Sequence, residues 1–256
     1  MPNNERESAL AMILARRAYL YSLLHVVFGS RPTGDSVAKV FSDDTLAALA
    51  YVKDTLTQND FADVAGRMVG STGRSVAACV DAACVCVEQA RGEVDNPARA
   101  EALAARLQSA YDLLFHVPGE HYVHLWESPY TGKESMVFQE STLDVRSFYH
   151  EAGFKLQAEK RFPDDHIAAM MEYMGALSQR AYEAFADGRD DEVLQTLATQ
   201  RRFADKHILT WVDQFASKVM EHDTQAFYGA LAGGMAAFAT LDRAMVEQLE
   251  RELAEQ

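Results

Sequence analysis

Residues 163–174, Pro-Asp-Asp-His-Ile-Ala-Ala-Met-Met-Glu-Tyr-Met, set two carboxylates and an imidazole at the mouth of a long apolar segment. Asp164 or Asp165 can accept the unpaired backbone N–H groups of a first helical turn, and Pro163 stands where a helix has not yet begun. One cap needs one acceptor. The second Asp and His166 are therefore surplus, and surplus polar groups at a helix mouth suggest a recognition site. A second cluster, His116, Glu120, His121 and His124, offers His-x-x-His beside a carboxylate, a pattern that can bind zinc if the loop folds around it. That is the basis of an alternative function, a metal-dependent hydrolase. Its spacing is that of neither H-E-x-x-H nor H-x-x-E-H, and no E-x-x-H pair supports a di-iron bundle. In the same stretch Tyr122, Leu125, Trp126 and Tyr130 put aromatic and apolar surface beside Glu127, and such side chains in a loop either pack inward or meet a partner.

Other candidates read as scaffold. Cys79 and Cys86 share a helical face and Cys84 points elsewhere, with no paired C-x-x-C for a metal, so they are expected to be small buried thiols. Gly70-Ser-Thr-Gly-Arg-Ser75 mimics the end of a phosphate loop, but its required first glycine is Met68 and its lysine is an arginine, so it is read as a helix break. His207 and Trp211 lie one turn apart on one helical face and are expected in the core. No G-x-S-x-G elbow or catalytic-type cysteine is present, so no turnover, metal or cofactor is expected.

Composition narrows the partners. The 256 residues are 48% hydrophobic, ample for a core, and 38 acidic against 24 basic side chains give a net charge of −14. Such a field repels phosphate backbones, which argues against nucleic acid, and attracts cationic partners. Three cysteines are not a disulfide framework and fit a reducing, cytoplasmic setting. Arg16-Arg17 before an apolar stretch mimics a twin-arginine export leader, yet Ser22 and His25 interrupt it and Leu10, Ile13, Leu20, Leu24, Val27 and Phe28 recur with helical spacing. An amphipathic first helix is expected, with no membrane span, since no run reaches roughly 20 apolar residues.

The elements that must position these residues are all helical. Helix one is expected from about Glu5 to Phe28, closed by Gly29 and Pro32; Ser42 caps a segment opening Asp43-Asp44; Asn59 and Asp60 open a helix that the glycine pair can break before about Glu93; Asn96 with Pro97 starts one reaching Phe115. Residues 117–140 lack period and read as a connector longer than a typical loop. Beyond it, Ser141 with Asp144 marks a helix closed by Gly153, the Asp165 helix runs to about Ala186, and further helices cover about 190–204, 206–221 and the tail.

Four segments, Ala15–Leu24, Trp126-Glu-Ser-Pro-Tyr130, Pro163–Met174, and His207–Phe215 with Phe227-Tyr228, together resemble the TorD/DmsD/NarJ family of cytoplasmic chaperones for molybdoenzyme maturation. The resemblance implies an all-α fold of two lobes, residues 1–116 and 141–256, joined by a hinge at 117–140. It implies binding of the twin-arginine signal peptide of a molybdopterin-dependent, DMSO reductase-type enzyme, whose apo form is held until its cofactor is inserted. By position, the leader-binding residues implied are Trp126, Glu127, Ser128, Pro129, Tyr130, Asp165, His166 and Glu172. This chain has Met170 where many members carry Glu. Members have been proposed to bind guanine nucleotides, for which the residues here give no independent support, and a homodimer, with or without exchange of lobes, is compatible with this reading.

Overall fold

The computed structural model describes residues 3–132, 140–156 and 163–254; residues 133–139 of the connector lie outside them. The described residues form helices and turns without a named strand. The helices are α1 (Asn3–Gly29), α2 (Gly34–Val40), α3 (Asp43–Leu56), α4 (Ala62–Gly66), α5 (Val76–Arg91), α6 (Pro97–Tyr111), α7 (Ser128–Thr131), α8 (Glu140–Glu151), α9 (Ile167–Ala186), α10 (Asp190–Phe203), α11 (Val212–His222) and α12 (Phe227–Ala254). Two isolated bridges, Met68 with Ser75 and Trp126 with His166, are the extended pairings among them.

The starts obey simple capping chemistry. The Ser42, Ser75 and Asn96 side chains accept from the N–H groups of Thr45, Ala78 and Arg99, each satisfying a donor that a first turn leaves unpaired. Pro97 follows Asn96, where its missing N–H costs nothing. Between α4 and α5 the chain turns back on itself through Gly70, whose φ of +48° suits glycine; a Cβ there would also stand 2.6 Å from the Asp213 carbonyl oxygen. The glycine segment is thus a turn packed against α11, with Ser71 N–H donating to Ser217 Oγ at 3.1 Å.

Packing joins distant parts of the sequence. α1 lies along α9, α5 against α12, and α11 against α12. Gly234 lets α12 approach α5 closely, since a Cβ there would meet that of Ala83 at 2.8 Å. The main core runs from Leu20 of α1 to Met245 of α12 and draws on both sides of residues 117–140, while a second cluster gathers Leu10, Leu14, Ala181, Val193, Leu197 and Leu249 at the other end of α1. By length and composition, residues 6–29 could cross a membrane, yet they are used as a core helix: Leu14, Arg17, Leu20 and Tyr21 are buried against the bundle.

Arg17 is the least expected member of that core. Its Nε donates to Asp242 Oδ1 at 2.5 Å and its Nη2 to Asp242 Oδ2 and Gln200 Oε1; Tyr21 donates to Asp242 Oδ2 at 2.6 Å. Gln200 in turn donates to Ser178 Oγ and the Met174 carbonyl. This buried fork ties α1, α9, α10 and α12 together. Burial by itself would lower the Arg17 pKa, and the Asp242 carboxylate more than offsets it, holding the guanidinium charged. Arg16, its neighbour in the leader-like pair, instead lies over the Tyr51 ring at 4.4 Å.

One local expectation needs correction. Ser141 lies inside α8, which begins at Glu140, and its Oγ has no partner, while Asp144 pairs away from the helix end. The segment from Asn59 to Glu93 is broken at the glycine pair: a 3-10 turn at Asn59–Phe61 and α4 precede the Met68–Ser75 turn, and α5 follows it.

Candidate functional site

The connector and the start of α9 are stitched by backbone. Glu127 N–H donates to the Asp165 carbonyl at 3.0 Å and Ile167 N–H to the Leu125 carbonyl at 2.8 Å, forming one rung of antiparallel pairing. That rung sets the Trp126 ring edge-on to His166, with centroids 5.5 Å apart, and puts His124 on the other side at 6.2 Å. The helix mouth then differs from expectation. His166, not an aspartate, caps α9: its Nδ1 accepts from Ala168 N–H at 3.1 Å. Accepting there requires the neutral ring, and burial, with the charge of His25 adding to it, lowers its pKa to about 4.

Each carboxylate freed from capping has an internal partner. Asp165 Oδ2 accepts from Ser128 N–H at 3.0 Å and Ser128 Oγ at 2.5 Å, so it holds the first turn of α7. Asp164 pairs with Arg146 at 2.6 Å, and its carbonyl accepts from the Tyr149 hydroxyl. Glu127 is buried against His207, whose Nδ1 lies 3.0 Å from Oε2. Burial raises the Glu127 pKa, and the contact with His207 opposes that shift. His207 Nε2 lies 2.9 Å from Asp144 Oδ2, off the hydrogen-bonding direction, and Lys206 reaches the same oxygen at 2.5 Å. Burial would push Asp144 up, but Lys206 and His207 hold its carboxyl below the usual range.

His207 reaches this position through a backbone detail invisible in the side-chain pattern. Residues Ala204–Ile208 form a π turn, closed by Leu209 N–H on the Ala204 carbonyl at 2.9 Å. His207 is thus a full member of the polar site as well as scaffold, and sequence periodicity missed it because Glu127 lies 80 residues away. Asp144, Arg146 and Tyr149 were missed for the same reason.

Some polar atoms stay unmet. Trp126 Nε1, His124 Nδ1 and Asp165 Oδ1 are buried without a hydrogen-bond partner, a concentration that a water or a ligand polar group would relieve. Tyr130 donates to the His124 carbonyl at 2.8 Å, packs on Trp211 with centroids 5.1 Å apart, and carries Lys218 over its ring. Trp126, Pro129 and Tyr130 are half-buried, whereas Glu127, Ser128, Asp165 and His166 are buried. Glu172 is set apart from this cluster, in a groove between α1 and α9.

The histidine cluster does not converge. His116 pairs with Asp112 at 3.0 Å, His121 faces His222, and His124 lies between Tyr122 and Trp126. Among the described residues no group of three or more His, Cys, Asp or Glu side chains is placed to hold a metal, so the hydrolase alternative is not favoured. The three cysteines are free, and burial pushes the Cys86 thiol up to about 12, which keeps it protonated and unreactive.

This all-helical chain belongs to the family described as nitrate reductase delta subunit, whose model matches residues 76–217, a span containing the whole polar site. Its relatives include proteins named Chaperone protein TorD from Vibrio atlanticus, 26% identical over 54% of this chain and 64% of the relative, and from Shewanella oneidensis, 30% identical over 59% and 65%. A third, named Tat proofreading chaperone DmsD, from Salmonella typhi, is 28% identical over 49% of this chain and 54% of its own. The chain thus spans less than two thirds of these relatives' length, and the names they carry are those of chaperones.

Proposed function

We propose that the protein is a non-enzymatic chaperone that binds the twin-arginine signal peptide of a molybdopterin-dependent oxidoreductase in the cytoplasm and holds the apoenzyme for cofactor insertion before export. The observation that carries this reading is the connector-to-α9 rung. It presents Trp126 beside His166 and leaves the indole N–H and one Asp165 oxygen unmet, next to half-buried Pro129 and Tyr130. The relatives' chaperone names, and the word Tat in one of them, support the same class. In this reading Trp126, Pro129 and Tyr130 supply contact surface for the apolar part of a leader, while Glu127, Ser128, Asp165 and His166 hold that surface in place. The net charge of −14 draws a basic peptide in and makes the encounter salt-sensitive.

The division into residues 1–116 and 141–256 about a hinge at 117–140 belongs to this proposal. Because α1 lies along α9, any opening at the connector has to part those two helices. Calorimetric titration of a twin-arginine leader peptide into the full chain tests the function. Trp126→Ala is expected to weaken binding by about tenfold or more, the usual cost of removing a central aromatic contact. Equal affinity of this variant and the unaltered protein would remove Trp126 from the site, and absence of any binding at low salt would end the reading.

A further inference from the structure

Of the two adjacent arginines on α1, Arg17 is consumed by Asp242 and Arg16 is not consumed by any acid. Arg16 makes no hydrogen bond or ion pair among the described residues, and its guanidinium lies over the Tyr51 ring, 4.4 Å from the centroid. The ring attracts the positive charge through its face but offers no lone pair, so the guanidinium donors are left without an acceptor. Arg16 stands in the lining of a cavity of about 300 Å³ between α1, α3 and α12. Ala9, Met12 and Ile13 precede it on one stripe of α1, and Met245 and Leu249 line the cavity from α12.

The other polar groups of this lining are already engaged. Glu252 accepts from Gln248 Nε2 at 2.8 Å, and the Thr55 hydroxyl donates back to the Tyr51 carbonyl at 2.8 Å. The apolar wall is only partly covered, for Met12 is 51% exposed. An apolar cavity with one uncommitted cation matches the usual build of a small-molecule site, in which apolar side chains bury a ligand's body and a placed polar group orients its head. At ~30 Å³ for each water-sized group, the volume suits a ligand of about ten non-hydrogen atoms.

We infer that the α1/α3/α12 cavity is a binding site for a small amphipathic monocarboxylate, with Arg16 as its head-group receptor. The site is separate from the connector and α9, and the inference does not depend on the leader-binding proposal. The planar fork of a guanidinium matches a carboxylate with two parallel hydrogen bonds, and the stripe of Ala9, Met12 and Ile13 continues from it as the wall for an alkyl or aryl body. A singly charged head suits one guanidinium in a lining that also holds Glu252, where a doubly charged phosphate would leave charge unanswered. The net charge of −14 disfavours anions at long range, so a preference for the carboxylate has to come from Arg16 itself.

Calorimetric titration of the full chain with octanoate and with 1-octanol separates head from body. Octanoate is expected to bind at one site about tenfold more tightly than 1-octanol, as for a charge-assisted bidentate pair. Arg16→Gln should bring octanoate to within about twofold of 1-octanol and leave 1-octanol itself little changed. Ala9→Trp, at an exposed position of the same wall, should weaken both. In methyl-labelled protein the signals of Met12 and Met245 should shift on titration, while that of Met68, outside the lining, should not. Equal affinity for the two ligands, an undiminished octanoate preference in Arg16→Gln with the fold intact by circular dichroism, or shifts that spare Met12 and Met245 overturns the inference. Arg16→Gln is expected to keep the affinity of the unaltered chain for a twin-arginine leader peptide, so failure here leaves the leader reading standing.

Discussion

Two buried polar networks divide the work of this protein, and they are built in opposite ways. The Arg17–Asp242 network is closed. Its guanidinium, carboxylate, phenol, one side-chain amide and a serine hydroxyl answer one another across four regular helices, and only Arg17 Nη1 lacks a partner. The Glu127–His207–Asp144 and Asp165–Ser128 network is open. It is strung along an irregular connector, a π turn and a helix mouth, and it adjoins Trp126 Nε1, His124 Nδ1 and Asp165 Oδ1, all unmet. A closed network serves to hold helices in one arrangement. Unmet buried donors and acceptors beside half-buried aromatics carry a cost that a bound partner can remove, and for that reason the leader site we propose is placed at the open network.

The largest test of that contrast is Asp242→Ala. It strands the Arg17 charge in the core and should cost about 3–5 kcal/mol in urea unfolding, while Arg17→Met with Asp242→Leu should recover most of the loss. A cost under about 1 kcal/mol would mean that the fork is dispensable and that the two networks do not differ as described.

Next in size is the response to acid. His166 has a pKa of about 4 in the fold against about 6.5 unfolded, so between these values the unfolded chain binds more protons. Stability should therefore fall as pH drops from about 6.5 towards 4, by up to ~3 kcal/mol from this residue. Glu127 works against it: its raised pKa gives a contribution that is full at low pH and fades as pH rises through the folded value. His166→Asn, which keeps a capping acceptor but cannot titrate, should flatten the decline in unfolding free energy over that window. An unchanged slope would place the acid sensitivity elsewhere.

The smallest expected effect is that of Glu127→Gln. It keeps an acceptor for His207 and removes a charge, and it should cost about 1–2 kcal/mol by urea unfolding, well below Asp242→Ala. Were it to match Asp242→Ala, the connector network would be as structural as the helical one.

How much of this could be read from residues alone differs between the networks. The helices were legible because their cues are local: Ser42, Asn96 with Pro97, and the 3.6-residue recurrence of apolar side chains act within one or two turns. The polar character of 163–166 and the aromatic character of 126–130 were also plain in the residue order. Their joining was not. Capping by His166 in place of an aspartate followed from the Trp126–His166 bridge, which pulls Asp165 toward Ser128 instead of toward its own helix. Arg17 looked like half of an export signal, and its partner stands 225 residues away.

By itself, then, the order of residues determined the helical class, the caps at Ser42 and Asn96, the negative field and the chemical types available to a binding site, since each depends on neighbours within a few positions or on simple sums of charge. Only the tertiary structure decided which acids are consumed. Asp164, Asp165 and Glu127 find partners brought to them by packing from the helix α8, the connector and the π turn, none of which lies within a helical turn of them in the sequence.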